Sequence, residues 1–235
     1  MHFHIVTLFP ESFDSYVSSS ILGRAVRNKK IKIKFYNPRD FVRPTKAQAK
    51  NQKPYLRVDD KPYGGGAGMV MEAMPIIKAV EKALRLVRQA HSKQAQGKQK
   101  PLIIWLSPSG KQFSNEEAEK ISKKYSDVVI ICGRYEGIDA RVKKIFKVRE
   151  FSIGPYVLTG GELPAMVILD TVSRRIPGVL GKMESLEENR VASSDVYTRP
   201  EVLKYPPAGG KKYRVPKILL SGNHAKIEEW KKNKT

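Results

Sequence analysis

The chain has very little cysteine, since Cys132 is its single thiol among 235 residues. One cysteine excludes an intramolecular disulfide, and we therefore expect a reducing, cytoplasmic compartment. No segment approaches the ~18 consecutive apolar residues that a membrane-spanning helix needs. The first residues also lack the basic and apolar regions of a secretory signal peptide. The sequence thus predicts a cytoplasmic protein with no membrane partner.

Acidic residues are scarce relative to basic ones. Asp and Glu total 23 against 44 for Lys and Arg, which gives a formal net charge of +21. Such an excess raises self-repulsion and indicates a polyanionic partner, above all nucleic acid. A merely solubilising surface is the alternative. The hydrophobic fraction of 40% is sufficient for a folded core.

Short apolar segments alternate with segments of helical periodicity along most of the chain. Strands are predicted at 3–9, 31–36, 102–106, 128–132 and 148–153, and helices at 10–26, 69–90, from Ser114 onward, 138–146 and 163–176. Ser114 followed by Glu117 has the spacing of a capping box. Residues 37–68 read as a long basic loop. The alternation predicts an α/β fold with a largely parallel sheet.

Glycine-rich turns follow three of the predicted strands: WLSPSG (105–110), CGRYEG (132–137) and SIGPYVLTGG (152–161). In a parallel sheet the carboxyl ends of the strands share one edge, and ligands bind there. Glycine lets the backbone approach a ligand closely. We therefore predict that the three turns surround one small molecule. Any single turn taken alone could merely end a strand.

Two nucleotide-binding patterns are missing. The sequence contains no G-x-x-x-x-G-K-[ST], and GGGAG (64–68) follows Pro62 and Tyr63 rather than a strand. These absences disfavour a nucleoside-triphosphate-dependent enzyme and a dinucleotide site near the first strand. An adenosine-type ligand would have to use the later turns.

Eight segments carry a resemblance to a known family: LFPESF (8–13), NPRDF (37–41), KPYGGGAGM (61–69), LSPSG (106–110), CGRYEGID (132–139), SIGPYVLTGGELPAM (152–166), RIPGVLGK (175–182) and YTRPEV (197–202). Together, and in this order, they closely resemble the bacterial tRNA (guanine-N1)-methyltransferase family. The resemblance runs from the first predicted strand to the last helix.

The resemblance implies a SPOUT-type fold, in which the C-terminal part of the parallel sheet threads into a deep trefoil knot. It also implies S-adenosyl-L-methionine as methyl donor, tRNA as substrate, and a homodimer with composite active sites. The expected reaction is methylation of N1 of the guanosine at tRNA position 37, next to the anticodon. On this basis we expect a SPOUT methyltransferase domain at 1–180, a linker at 181–196, and a small, basic, mostly helical tRNA-binding domain at 197–235.

The same resemblance places the cofactor contacts in the three glycine-rich turns. The expected residues are Trp105, Leu106, Ser107, Pro108, Gly133, Tyr135, Glu136, Gly137, Ile153, Gly154, Pro155, Tyr156, Val157, Leu158, Gly160, Gly161 and Pro164. Trp105 would provide an aromatic slot. The carboxylate of Glu136 would suit the positive sulfonium of the cofactor. Alternatively, Glu136 lies in the first turn of the following helix and interacts with its dipole.

Methylation of guanine N1 requires a base that removes its proton and a cation or donor beside O6, where negative charge develops. The resemblance gives Arg174 the role at O6. The alternative is an ordinary surface pair, because Asp170 and Arg174 are four residues apart on one predicted helix.

The general base is the point at which this sequence departs from the family. An ungapped alignment from GVLGK (178–182) puts Asn189 where the family has an aspartate, and an amide cannot accept a proton as a carboxylate does. Glu188 and Asp195 are the two available replacements. We favour Asp195, the acid nearest to YTRPEV. The departure also keeps open a second function, a catalytically weakened knotted RNA-binding protein.

Basic and aromatic residues are candidates for RNA contacts. The basic ones in the long loop are Arg43, Lys46, Lys50, Lys53 and Arg57. Tyr63 and Tyr197 could hold an extruded base or pack in a core.

Cysteine and histidine offer little sign of a metal site. Cys132 ends an apolar strand and is expected to be buried. His2 and His4 share one face of a strand, but no further metal ligands cluster with them, so no metal site is predicted. The resemblance adds Mg²⁺ as a candidate cofactor that no residue locates.

Overall fold

The computed structural model describes residues 1–44, 56–92, 100–180 and 195–233. The chain divides into two compact units, Met1–Leu180 and Gly181–Thr235. None of the described helices combines the length and apolar character that crossing a membrane requires.

A five-stranded parallel sheet forms the centre of the larger unit, which confirms the predicted α/β class. The strands of this unit are β1 (His2–Val6), β2 (Lys32–Tyr36), β3 (Asp59–Asp60), β4 (Val70–Met71), β5 (Leu102–Gln112), β6 (Asp127–Ile131) and β7 (Arg149–Ser152). The main sheet has the order β2-β1-β6-β5-β7, and all its pairs are parallel. Strands β3 and β4 form a separate antiparallel pair.

Helices cover both faces of this sheet. They are α1 (Asp14–Ser18), α2 (Ser20–Arg27), α3 (Ala73–Ser92), α4 (Asn115–Lys124), α5 (Arg141–Ile145) and α6 (Glu162–Ser173). One core lies under α2, α4 and α6, and the other under α3 and α5. Successive side chains of β6 alternate between the two cores, with Ile130 in the first and Ile131 in the second. This explains why the strand is apolar throughout.

The first helix is divided, whereas its periodicity predicts one helix from Pro10 to Val26. A 3-10 turn spans Pro10–Phe13, and α1 and α2 are separated by Ser19 in an extended conformation. Ser19 Oγ donates to Ser15 O at 2.5 Å. Serine hydroxyls offer the backbone such alternatives to helical hydrogen bonds, which favours a break.

Helix α3 begins at Ala73, not at Met69 as predicted. Val70–Met71 instead forms β4 and pairs with Asp59–Asp60, inside the predicted loop. Met71 is fully buried, its N–H donates to Gly137 O at 2.9 Å, and its carbonyl accepts from Asp139 N at 3.0 Å. These long-range hydrogen bonds outweigh the local helical pattern.

Strand β5 continues through the predicted first turn to Gln112. Its pairing with β7 changes register between Leu106 and Lys111, so residues of the turn bulge out of the strand. Ser114 then caps α4 as predicted, because its side chain accepts from Glu117 N at 3.4 Å. The carboxylate of Glu117 does not complete a capping box, since Oε1 accepts from Lys111 Nζ at 2.7 Å.

The smaller unit combines helical segments with an antiparallel hairpin, which the prediction of a mostly helical segment did not include. Strands β8 (Val202–Tyr205) and β9 (Lys211–Arg214) pair, and a 3-10 turn (Lys217–Leu220) and helix α7 (His224–Lys232) follow. The loop between the strands is rich in proline and glycine, which favours a hairpin turn. Of the predicted linker, residues 181–194 lie outside the described residues.

Candidate functional site

A cavity of about 240 Å³ opens at the carboxyl edge of the parallel sheet. All three glycine-rich turns line it, and the structure brings together every predicted cofactor residue except Trp105 and Pro155. Four further residues line the cavity: Arg134, Phe151, Ser152 and Thr159. The walls are partly apolar, through side chains such as Leu106, Ile153 and Leu158, and partly backbone from the glycines.

Trp105 lies outside the cavity. Its side chain is 7% exposed and belongs to the core under α3 and α5, with Lys143 Nζ 5.3 Å from its ring centroid. Leu106 points to the other face, since adjacent residues of a strand alternate. Strand alternation therefore separates Trp105 from the turn that follows it. Pro155 is exposed.

A buried ion pair supports the wall of the cavity. Glu162 is 3% exposed. Its Oε1 accepts from Thr7 Oγ1 at 2.7 Å, and Oε2 lies 2.9 Å from Arg134 Nε. The Arg134 guanidinium also lies 4.5 Å from the Phe9 ring centroid. The contacts of Glu162 connect the second turn to α6 and to the end of β1. The sequence did not predict this ion pair, because Arg134 in GRYEG and Glu162 in GGELP are 28 positions apart.

The second and third turns touch at Gly161. A Cβ on this residue would lie 2.6 Å from Cys132 Cα, and Gly161 N donates to Gly133 O at 2.8 Å. Cys132 is fully buried, as predicted. Burial, together with the nearby charge of Glu162, raises the pKa of the Cys132 thiol well above its ordinary value. The thiol is therefore neutral packing rather than a nucleophile.

Glu136 is exposed and lines the cavity. Helix α5 begins at Arg141 with Ala140 at its N-cap, so the alternative that Glu136 lies in the first turn of a helix is wrong. Its N–H donates to Met69 O at 3.0 Å. Gly68 packs so closely that a Cβ there would lie 2.7 Å from Glu136 Cγ. The KPYGGGAGM segment thus packs against Glu136 and positions it.

The comparison with known proteins decides the family. A family model described as tRNA (Guanine-1)-methyltransferase TrmD matches residues 1–235. The chain belongs to this family. The tRNA (guanine-N(1)-)-methyltransferase of Clostridioides difficile (strain 630) is 42% identical over 239 residues, covering 100% of this chain and 92% of that protein. The protein of the same name from Buchnera aphidicola subsp. Schizaphis graminum is 41% identical, with 99% and 80% covered, and that from Campylobacter jejuni subsp. jejuni serotype O:6 is 43% identical, with 98% and 90% covered.

Arg174, the family's expected O6 partner, ends α6 and is half-buried. The Asp170 carboxylate accepts from Tyr16 Oη at 2.5 Å. Within the described parts of the chain, no carboxylate lies at ion-pair distance from the Arg174 guanidinium. The simple surface pair with Asp170 is therefore not formed.

The other family-derived residues are only partly described. Asp195 is exposed in the smaller unit, while Glu188 and Asn189 lie outside the described residues. Tyr63 is 100% exposed, which excludes core packing. Tyr197 is 47% exposed, with its ring centroid 6.5 Å from that of Trp230.

Of the basic loop residues, two are described. Arg43 is exposed, and Arg57 Nε lies 3.4 Å from Asp59 Oδ2. Lys46, Lys50 and Lys53 lie outside the described residues.

A second cluster of polar residues lies at the opposite, amino edge of the sheet. The expectation that His2 and His4 have no companion ligands is wrong, because both rings approach the buried carboxylate of Asp127. Burial opposes ionisation of Asp127, but hydrogen bonds from His2, His4, Ser126 and His91 outweigh it and hold the pKa of that carboxyl well below its usual range. The long sequence separation of Asp127 from His4 hid this cluster.

Proposed function

We propose that this family member transfers the methyl group of S-adenosyl-L-methionine to N1 of the guanosine at tRNA position 37, next to the anticodon. The observation that carries the proposal is the cavity in which three glycine-rich turns converge. The family match over residues 1–235 supports the substrate class. The relatives' names do not favour the second candidate, a catalytically weakened RNA-binding protein.

The cavity fits the chemistry of the proposed methyl donor. A flat adenine suits a slot with apolar walls and backbone hydrogen-bonding groups, which Leu106, Ile153 and the glycine-rich turns supply. The carboxylate of Glu136 is the one acidic side chain among the described lining residues, and its charge complements a sulfonium. When bound, S-adenosyl-L-methionine supplies the methyl group.

The remaining chemistry belongs to the protein. Arg174 donates hydrogen bonds to O6 of the target guanine and stabilises the negative charge that develops there. Asp195 accepts the N1 proton, with Glu188, one place before Asn189, as the alternative base. Tyr63 and Tyr197 are the aromatic side chains that we assign to holding the extruded base.

A magnesium site receives no support from the cavity. Mg²⁺ prefers several oxygen ligands in octahedral geometry. Among the described lining residues only Glu136 carries a carboxylate, and Glu162 is already engaged by Thr7 and Arg134. The described lining of the cavity therefore offers too few oxygen ligands for Mg²⁺.

The chain path between β7 and α6 supports a trefoil knot. Strand β7 lies at the edge of the sheet, next to β5. The following segment nevertheless returns across the end of β5, because Gly161 contacts Cys132 at the end of β6 and Glu162 bonds Thr7 at the end of β1. Such a return is what a SPOUT knot requires.

An uncovered apolar face supports the proposed homodimer. On α6, Leu163 is 53% and Val167 39% exposed, and Arg174 follows on the same face at helical spacing. Tyr156 and Val157, from the third turn, are 53% and 81% exposed. A second copy that covers these residues would bring Arg174 into a composite active site.

The smaller unit is assigned to tRNA binding, as the domain at 197–235 after a linker at 181–196. Residues 197–235 contain ten Lys or Arg against three Glu. Basic side chains contact the phosphates of RNA and make the affinity depend on salt. A cytoplasmic location accords with a tRNA substrate.

The proposal is tested with radiolabelled S-adenosyl-L-methionine and two tRNA transcripts that carry guanine or adenine at position 37. We expect label only in the guanine transcript, and nuclease digestion with mass spectrometry should identify 1-methylguanosine. Binding of both transcripts with no methyl transfer would instead establish the non-catalytic RNA-binding function.

A further inference from the structure

Three of the four histidines of the chain converge on one aspartate. His2 Nδ1 and His4 Nε2 each lie 3.3 Å from Asp127 Oδ1, and His91 Nε2 lies 2.9 Å from Asp127 Oδ2. We call these four residues the histidine cluster. None of them falls within the segments that resemble the methyltransferase family.

The strand register creates this cluster. His2 is paired with Asp127 across the parallel strands β1 and β6, and His4 follows on the same face two residues later. His91 arrives from the last turn of α3. The cluster lies at the amino edge of the sheet, whereas the cofactor cavity opens at the carboxyl edge. The two sites are therefore separate.

The spacing of the ligand atoms matches a transition-metal site. One ligand atom each from His2, His4 and Asp127 lie within 4.8 Å of one another. Tetrahedral zinc has bonds of about 2.0–2.1 Å, so its ligand atoms stand about 3.3 Å apart. Both histidine–aspartate distances already have this value. The His2 side chain is 40% exposed, so its ring can adjust and solvent can reach the site.

Neighbouring hydrogen bonds orient two of the three ligands, His4 and Asp127. His4 Nδ1 lies 2.8 Å from Tyr36 Oη. Without a metal, the Nε2–H of His4 donates to Asp127 Oδ1. When a metal takes the place of that proton, the tautomer with Nδ1–H directed at Tyr36 Oη leaves the Nε2 lone pair for the ion. Asp127 Oδ2 accepts from Ser126 Oγ at 2.8 Å and contacts His91, which leaves Oδ1 for a metal. Such outer partners commonly fix the orientation of metal ligands.

We propose that His2, His4 and Asp127 bind one zinc-class transition-metal dication, with His91 positioning the carboxylate and a water completing the coordination. Two imidazoles and one carboxylate are ligands that zinc accepts, and an open fourth position is compatible with water. The ion would cross-link β1 to β6 and, through His91, to α3. Its role is structural, because the site lies at the sheet edge opposite the cavity.

The test uses Zn²⁺ itself and protein without a polyhistidine tag, stripped with a chelator and dialysed. Isothermal titration should show one Zn²⁺ per chain, and the melting temperature should rise with Zn²⁺ concentration. Co²⁺ should give visible absorption bands typical of a four-coordinate site. His2→Ala, at a half-buried position, should abolish the saturable binding, and His91→Ala should weaken it about 10- to 100-fold.

His224→Ala is the matched control, because His224 is the fourth histidine and belongs to the smaller unit. It should leave Zn²⁺ binding and the Co²⁺ spectrum unchanged. The proposal fails if the wild-type protein shows no saturable Zn²⁺ binding, or if His2→Ala binds as tightly as wild type. It also fails if His224→Ala loses the site. Each of these measurements is independent of methyl transfer.

Discussion

The hydroxyl of Tyr16 donates a hydrogen bond of 2.5 Å to Asp170 Oδ2 and so joins α1 to α6. Asp170 is one helical turn before Arg174, and helical spacing alone would have paired the two. Because Tyr16 engages the carboxylate, the Arg174 guanidinium has no carboxylate at ion-pair distance within the described residues. The charge of the Arg174 guanidinium is therefore available to interact with a substrate atom.

Replacing Arg174 tests its proposed role at O6. Arg174→Ala should lower the single-turnover rate of methyl transfer by about 10²–10³, the usual effect of losing one donor to a developing negative charge. The melting temperature should change little, since no ion pair is lost. Arg24→Ala, at an exposed position on α2, is the control. An unchanged rate in Arg174→Ala would remove this residue from the mechanism.

Removing the Tyr16 hydroxyl should destabilise the protein in a pH-dependent manner. The hydrogen bond to Asp170, with burial second, raises the pKa of Tyr16 to about 12 from 10.0. A raised pKa contributes stability that is fully present below pH 10 and is lost as pH rises towards 12. Tyr16→Phe should therefore cost about 1 kcal/mol at neutral pH, because the half-exposed site limits the hydrogen bond's net value.

Chemical denaturation of wild type and Tyr16→Phe at several pH values measures this difference. The gap in unfolding free energy should be constant up to pH 10 and narrow above it. Tyr63→Phe is the control, since the Tyr63 side chain is fully exposed. A gap that does not depend on pH would show that the hydroxyl is not linked to Asp170 in solution.

Gly68 should be required for cofactor affinity. Its φ of +84° and its close contact with Glu136 both disfavour a side chain at position 68. Gly65 has a similar φ of +80°, but nothing lies within 4 Å of the position that its Cβ would occupy, so Gly65→Ala shares the backbone strain without the collision. Gly68→Ala should weaken S-adenosyl-L-methionine binding at least about tenfold, as misplacing one charged contact does. Calorimetry with equal losses in both variants would refute the positioning role.

The choice of general base can be resolved by single-turnover kinetics. Asp195→Ala should lower the rate of methyl transfer by about 10²–10⁴, the usual contribution of a general base. Full activity in Asp195→Ala with loss in Glu188→Ala would move the role to Glu188. If Asn189→Ala alone abolished turnover, neither carboxylate would be the base.

Local patterns predicted much of the fold and of the site. The apolar segments located all five strands of the main sheet, most clearly β6, because a strand buried on both faces has few polar residues. The three glycine-rich turns came together as expected, because parallel strands end at one edge. By contrast, the sequence did not predict β4 or the β8–β9 hairpin. Strand β4 forms through pairing with residues distant in the chain, and the hairpin forms at a turn within a basic segment.

The sequence by itself determined the strands of the main sheet, the positions of the glycine-rich turns and the family, because each depends on residues close together in the chain or on matched segments. Only the tertiary structure decided which side chains meet across those segments. Strand alternation turned Trp105 away from the cavity, and helix packing placed Tyr16 against Asp170. The register of β1 against β6 brought His2 beside Asp127. A shift of one residue in this register would move the side chains of β1 to the opposite faces of the sheet, and the histidine cluster would not form.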